Sequence, residues 1–217
     1  HPDSEIRWSV PIGEERFDSF SEELDLSALP EEDVEMLRYF PRLKRIDARR
    51  CTDSSALAEA ARLLPDTEIL WSVPSAEGPV DGNAETLVLR RAGHDEINGL
   101  LPLLPKLQTL DLRESSLRTG EIDELRAAWP ALRILYTVNL WGDGISSDTR
   151  SLTLGEGARG ELSELKEALR RLEDLESADL CGAELSAEEL VELADFLPAQ
   201  TKYLVPLGGS RWAADRL

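Results

Sequence analysis

Apolar positions along the chain follow two patterns, one with a period of two and one with a period of three to four. The first predicts ten short strands, because alternating apolar residues suit a strand with one buried face. The second predicts six helices, because this spacing places apolar residues on one side of a helix. The strand centres fall near residues 7, 25, 46, 70, 88, 110, 135, 153, 178 and 204, and the helical patterns begin at Glu31, Ser54, Asp95, Gly120, Glu161 and Ser186.

Longer themes recur in a fixed order along the sequence. The segment EIRWSVPI at Glu5 returns as EILWSVPS at Glu68 and as RILYTVNL at Arg133, and it recurs in a weaker form as TKYLVPLG at Thr201. We therefore divide the chain into long repeats of about 5–67, 68–132 and 133–200, with a partial fourth at 201–217. Since both ends fall inside a repeat, we expect a larger parent protein. The valines that mark the theme are spaced by 63, 65 and 67 residues: Val10, Val73, Val138 and Val205.

Each long repeat contains a shorter leucine motif. The stretch PKLQTLDLRESSL, which begins at Pro105, fits L-x-x-L-x-L-x-x-N/C-x-L, and Cys51 occupies the N/C position of another copy. The chain therefore resembles the leucine-rich repeat family. This resemblance implies an α/β fold over residues 1–217 as one domain. It would be a right-handed solenoid with a curved parallel sheet on the concave side and helices on the convex side.

Two polar features have local structural interpretations. Ser186 and Glu189 have the spacing of a capping box at the start of the last helix. An aspartate also recurs eight to ten residues after each marker valine. These aspartates form either a functional acidic row or a set of caps on backbone amides, and we favour caps. They are Asp18, Asp81, Asp148 and Asp215.

The chain is strongly acidic. It has 24 Lys and Arg against 43 Asp and Glu among 217 residues, a formal net charge of −19. This surface would repel phosphates, so we expect no nucleic-acid partner. No apolar run is long enough for membrane insertion. The resemblance to bacterial leucine-rich repeat proteins, including those of gut commensals, implies secretion or the cell surface, whereas the two cysteines fit the cytoplasm equally well.

Few residues are available for catalysis or for metal binding. The cysteines Cys51 and Cys181 are 130 positions apart, and the histidines are His1 and His94. These four residues do not make a zinc ligand set or a Cys-His nucleophile. His94 precedes a helical pattern, which favours a capping or solvated histidine. We therefore predict no enzymatic activity and no cofactor.

The resemblance to leucine-rich repeats also predicts which side chains face outward from the strands. In the leucine motif these are polar residues of three successive repeats. We interpret them as partner-binding residues or as solvated ion pairs, and we favour ion pairs. They are Arg45, Asp47, Arg49, Asp111, Arg113 and Asp179.

The segments related to WSV predict an apolar row on the same face. Trp8, Trp71 and Tyr136 would form a binding patch if this face is open. Alternatively, the helix-free segment that follows covers them, or the register shifts by one residue and turns them into the core.

We expect a monomeric recognition module that binds a protein or glycan through the concave sheet. The alternative is a structural spacer or regulatory segment of a larger surface protein.

Overall fold

The computed structural model describes residues 7–156, 160–183, 185–194, 201–207 and 210–214, and the side chains up to Leu204. The chain divides into two compact units. The first comprises His1–Asp111 with Ser115–Ile134, and the second comprises Leu112–Glu114 with Leu135–Leu217. The predicted single domain and its repeat boundaries stay a prediction.

The described residues form sixteen strands, most of them three or four residues long. The strands are β1 (Ser9–Ile12), β2 (Glu15–Asp18), β3 (Glu23–Asp25), β4 (Arg45–Asp47), β5 (Glu68–Leu70), β6 (Ser72–Val73), β7 (Val80–Asp81), β8 (Thr86–Val88), β9 (Thr109–Asp111), β10 (Arg133–Leu135), β11 (Thr137–Leu140), β12 (Asp143–Ser146), β13 (Ser151–Thr153), β14 (Ser177–Asp179), β15 (Lys202–Leu207) and β16 (Ser210–Ala214).

These strands form six separate sheets. Three are antiparallel pairs, β1–β2, β6–β7 and β11–β12, and two are parallel groups of three, β3–β4–β5 and β8–β9–β10. The sixth sheet has parallel strands β13–β14–β15 with β16 antiparallel at its edge. The predicted right-handed solenoid with one curved parallel sheet is therefore wrong. The fold is mixed α/β with short sheets.

The reason for this difference lies in the WSV segments, where the chain changes strand partners. Ile69 of β5 is in register with Ile46 of β4, whereas Val73 of β6 pairs antiparallel with Val80 of β7. Trp71 lies between the two strands. Backbone groups that bond within a hairpin are no longer available to a further parallel strand. Each hairpin therefore separates one parallel group from the next.

The helices lie close to their predicted positions. Asp53 caps α1 by accepting hydrogen bonds from the Ser55 and Ala56 amides at 3.0 and 3.1 Å. The predicted Ser186–Glu189 capping box is confirmed, with reciprocal bonds of 2.8 and 3.2 Å. The helices are α1 (Ser54–Leu63), α2 (His94–Leu100), α3 (Thr119–Ala128), α4 (Leu162–Arg171) and α5 (Ala187–Ala194), with 3₁₀ helices at Glu31–Tyr39 and Leu101–Leu103.

The first predicted helix is a 3₁₀ helix. Its two buried residues, Val34 and Leu37, are three positions apart, which matches the three residues per turn of a 3₁₀ helix. This helix packs against α1. Within the described part of the chain, no helix combines the length and apolar character that spanning a bilayer requires.

Candidate functional site

The prediction that Trp71 belongs to an exposed apolar row is wrong, because this side chain is only 3% exposed. Ile46, Ile69 and Leu24 lie in register and all three are buried, so this face of the parallel group is the core face. Trp71 itself packs on the hairpin that follows. A Cβ atom built on Gly82 would lie 1.9 Å from the Trp71 ring, so the ring covers this glycine.

Tyr136 is also buried, so it too is absent from any exposed row. The hydroxyl of Ser147, at the end of the β11–β12 hairpin, accepts a hydrogen bond from the Tyr136 amide at 3.0 Å. The Tyr136 hydroxyl donates to the carbonyl oxygen of Arg171 at the end of α4, at 3.3 Å. The hairpin and the helix thus hold this side chain in the core of the second unit. This location agrees with the alternative in which the segment after the strand covers the apolar row.

Trp8 differs from these two residues, because it is 45% exposed. Its ring contacts Phe20 edge to face, with centroids 6.3 Å apart. The Arg7 and Arg42 guanidinium carbons lie 5.4 and 4.7 Å from the centroid of the Phe20 ring. We call Arg7, Trp8, Phe20 and Arg42 the aromatic–guanidinium cluster. Sequence reasoning selected Trp8 alone, since no local pattern joins Phe20 to an arginine 22 positions away.

Charged residues occupy the outer face of β3–β4–β5. One row contains Glu23, Arg45 and Glu68 in register, and the Arg45 Nε atom lies 3.7 Å from the Glu68 carboxylate. In a second row, Asp25 of β3 lies beside Asp47 of β4. Arg45 is exposed, as predicted. We refer to these side chains, together with Arg49 and Arg50, as the charged outer face.

Each aspartate of the charged outer face has an arginine partner. The Arg50 Nη2 atom donates to Asp25 at 2.6 Å, and the Arg49 Nη2 atom donates to Asp47 at 2.5 Å. The hydrogen bond from the Arg49 side chain lowers the pKa of Asp47 to about 2. The ion-pair interpretation is therefore confirmed for Asp47 and Arg49. Sequence reasoning missed Asp25, although it follows Leu24 as Asp47 follows Ile46.

The lowered pKa of Asp47 argues against a role for this carboxylate as a general acid. The backbones of neighbouring strands lie about 5 Å apart, a spacing at which two carboxyl groups could approach each other as closely as in a retaining glycosidase pair. A general acid, however, must keep its proton near neutral pH, which requires a raised pKa. Since the pKa of Asp47 is lowered, it is ionised under ordinary conditions and cannot supply a proton.

The other predicted polar residues lie on their strands or directly after them. Asp111 and Asp179 are the last residues of β9 and β14 and are half-buried. Asp179 accepts a hydrogen bond from the Cys181 amide at 3.0 Å. Arg113 is exposed, and its Nη1 atom lies 3.8 Å from Asp148. Asp111 belongs to the first unit, whereas Arg113 and Asp179 belong to the second.

Two of the three recurrent aspartates that the structure describes accept hydrogen bonds from backbone amides. Asp18 accepts a hydrogen bond from the Phe20 amide, and Asp81 accepts one from the Asn83 amide, both at 2.9 Å. Asp148 instead accepts a hydrogen bond from the Ser146 hydroxyl. Asp215 lies outside the described residues.

A third feature of the first unit is an apolar groove of about 360 Å³. Its walls come from the ends of two helices and the proline turns that follow them, including Leu104 and Trp129. Arg62 lies at one side and donates a hydrogen bond to the Pro102 carbonyl at 2.5 Å. The sequence does not reveal this groove, because the leucines and prolines that form it have the pattern of ordinary helix ends.

Carboxylates also hold the long loop of the second hairpin in place. Glu77 accepts hydrogen bonds from the amides of Arg90 and Arg91 at 2.6 and 2.7 Å, which lower its pKa. In the opposite direction, Glu96 of α2 accepts a hydrogen bond from the amide of Ala76 in the loop at 2.8 Å. These reciprocal bonds attach the loop to the start of α2.

Histidine and cysteine have local roles here. His94 is the first residue of α2, and its Nε2 atom lies 3.4 Å from Glu124 of α3. Both cysteines are free thiols. Cys51 is buried and donates to the Leu26 carbonyl at 3.4 Å, and burial raises the pKa of its thiol. Within the described ranges, histidine, cysteine and carboxylate side chains form no cluster of three that could hold a metal ion.

Comparison of the sequence with protein-family models and with curated proteins found no match. The likeness to leucine-rich repeats stays a prediction from the motifs quoted above.

Proposed function

We propose that the chain is a non-enzymatic recognition module that binds a protein partner through the charged outer face. The observation that carries this proposal is the arrangement of exposed charges in register on β3–β4–β5. Glu23, Arg45 and Glu68 lie side by side across the three strands, and they project from the face opposite the core.

The energetics of surface ion pairs support a role in binding. Exposed ion pairs contribute little to stability because water screens them, so these pairs are a small part of what holds the fold together. Ordered charges of both signs are well suited to selecting a partner, because a complementary surface is attracted and a mismatched one is repelled. The bonds of Arg49 to Asp47 and of Arg50 to Asp25 hold the charges in place before a partner arrives.

A protein partner fits this face better than a glycan. Sugar rings commonly stack on exposed aromatic side chains, and Trp71 and Tyr136 are buried. The charged outer face instead offers carboxylate and guanidinium groups, which pair with the charged side chains of another protein.

Photo-crosslinking tests the proposal. A benzophenone amino acid would replace Arg45 in one protein, and in a control it would replace Glu59, which is exposed on α1. We expect a discrete crosslinked protein from extract of the source cells at position 45 only. The double substitution R45E/R49E, with the crosslinker at Glu23, should remove this product, whereas R62E should leave it unchanged.

The second candidate is a structural spacer, which the burial of Trp71 and Tyr136 favours because it leaves the sheet without these aromatic anchors. A spacer would give no crosslinked partner above the level of the Glu59 control. Equal crosslinking from both positions would contradict binding through this face.

A further inference from the structure

The aromatic–guanidinium cluster differs from the equivalent sites of the other repeats. Trp8, Trp71 and Tyr136 occupy one repeat position, and each carbonyl accepts a hydrogen bond from the end of the following hairpin, at Ser19, Gly82 and Ser147. The backbone is therefore equivalent in all three copies. The side chains are not, since Trp71 and Tyr136 are buried and Trp8 is exposed.

The residues around Trp8 have the composition of a binding site. Tryptophan and arginine are enriched among the residues that contribute most to protein interfaces. Here Trp8 lies against Phe20, and two guanidinium groups lie close to the same Phe20 ring. Contact with an aromatic face restricts a guanidinium group, so less conformational entropy is lost when it binds a partner.

The guanidinium groups indicate the chemistry of that partner. The Arg7 Nη1 atom lies 3.6 Å from the Asp18 carboxylate, which is too long for a hydrogen bond. A guanidinium group has five N–H donors, and its geometry suits a carboxylate that binds through both oxygens. Arg42 brings a second positive charge to the same ring. Two guanidinium groups thus lie at one exposed aromatic site, with the Asp18 carboxylate close to Arg7, on a chain of net charge −19.

We propose that the aromatic–guanidinium cluster binds an acidic peptide segment of a partner protein. Carboxylates of the peptide pair with Arg7 and Arg42, and a neighbouring apolar side chain packs on the exposed part of Trp8. This site is distinct from the charged outer face and does not depend on it. The net charge of −19 repels an acidic segment at long range, so binding depends on the short-range contacts with the two arginines and Trp8.

Selection from a random peptide library tests this proposal, because it does not require the partner to be identified first. Displayed twelve-residue peptides would be selected on the intact chain at about 0.15 M salt, where charges beyond about 8 Å are largely screened. We expect selected peptides to be enriched in Asp and Glu beside an aromatic or aliphatic residue. A synthetic peptide of the selected sequence would then be titrated against the parent and its variants.

The double variant R7A/R42A should weaken binding of that peptide by about 30-fold, as expected for the loss of hot-spot residues. W8A should weaken it as well. The matched control is R62A/R150A, which likewise removes two exposed arginines. Each of these arginines is paired with a glutamate. This control should bind as the parent does, and melting temperatures establish that every variant is folded.

Three results would overturn the proposal. One is a selection that yields no binders, and another is a set of peptides without acidic enrichment, such as basic or purely aromatic sequences. The third is equal binding by the parent and folded R7A/R42A. None of these results bears on the charged outer face, because the crosslinking experiment uses other positions.

Discussion

At the scale of single residues, the environment of an aromatic side chain decides what it does. Trp8 and Trp71 follow the same motif at the same position, and both carbonyls accept a hydrogen bond from the following hairpin. Trp71 nevertheless packs over Gly82, whereas Trp8 lies beside Phe20 with nearly half of its surface exposed. One of them therefore stabilises the fold, while the other is available to a partner.

Replacing Trp71 by alanine should lower the free energy of unfolding by about 3 to 5 kcal/mol, because a large buried ring is removed and a cavity is left. Urea unfolding measures the loss. The matched control is Trp8→Ala, for which we expect a loss of less than about 1 kcal/mol because the side chain is half-exposed. A small effect at Trp71 would mean that this ring is not part of the core.

The glycine beneath Trp71 should be just as sensitive. Gly82→Ala places a methyl group 1.9 Å from the ring, so the ring or the hairpin must move. We expect a loss of about 1 to 3 kcal/mol, as for other overpacked sites.

Gly99 in α2 is a suitable comparison, because a Cβ atom there meets nothing within 4 Å. Gly99→Ala should stabilise the protein by about 0.5 to 1 kcal/mol through the better helix propensity of alanine. Thermal melting of both variants tests the pair, and a neutral Gly82→Ala would contradict the close packing.

At the scale of elements, strand and helix positions could be predicted well from local patterns. Strand centres predicted near 46 and 110 fall inside β4 and β9, and α1 begins at the predicted Ser54. Strand pairing could not be predicted in the same way. Whether Val73 pairs with a parallel strand or with Val80 depends on backbone bonds between distant segments, and a strand pattern is the same in both cases.

The candidate site shows the same limit. The alternation of Arg45, Ile46 and Asp47 correctly placed the two charged residues away from the core. The same alternation, applied to the WSV segment, predicted that Trp71 lies on the outer face. This prediction was wrong, because a register difference of one residue exchanges the two faces of a strand. Contacts such as Arg42 on Phe20 arise from the tertiary fold and have no local signal.

The loop held by Glu77 should respond to pH. Because the amide hydrogen bonds lower the pKa of Glu77 in the folded protein, the ionised carboxylate stabilises the fold above its ordinary pKa. This stabilisation is lost as the pH falls through the folded-state pKa. We expect Glu77→Gln to lower the melting temperature at pH 7, and the difference from the parent should shrink in acid.

Melting the parent and the variant side by side from pH 7 to about pH 3 measures this difference, and changes at other carboxylates cancel in the comparison. Glu14→Gln, at an exposed residue of the first hairpin turn, is the control for the removal of one negative charge. A Glu77 effect that is constant with pH would contradict a charge-dependent attachment.

At the scale of the whole molecule, the net charge of −19 opposes folding, because compaction brings like charges closer together. Raising the NaCl concentration from about 10 mM to about 150 mM shortens the screening length from about 30 to about 8 Å. We therefore expect the melting temperature to rise with salt. KCl should have the same effect as NaCl, and a fall would show that the attractive ion pairs outweigh the repulsion.

The hairpins also have a consequence for how this chain can change in length. The strand groups β1–β5, β6–β10 and β11–β15 each contain one hairpin and one group of three strands, and the first two groups carry all the pairing partners of their own strands. Gain or loss of β1–β5 or of β6–β10 as a whole leaves every remaining described strand with the neighbours it already had, whereas β16 depends on β15 of the last group. Loss of a single strand would instead bring together two edges whose registers were never matched. Inherited insertions and deletions should therefore come in steps close to the repeat spacings of 63, 65 and 67 residues.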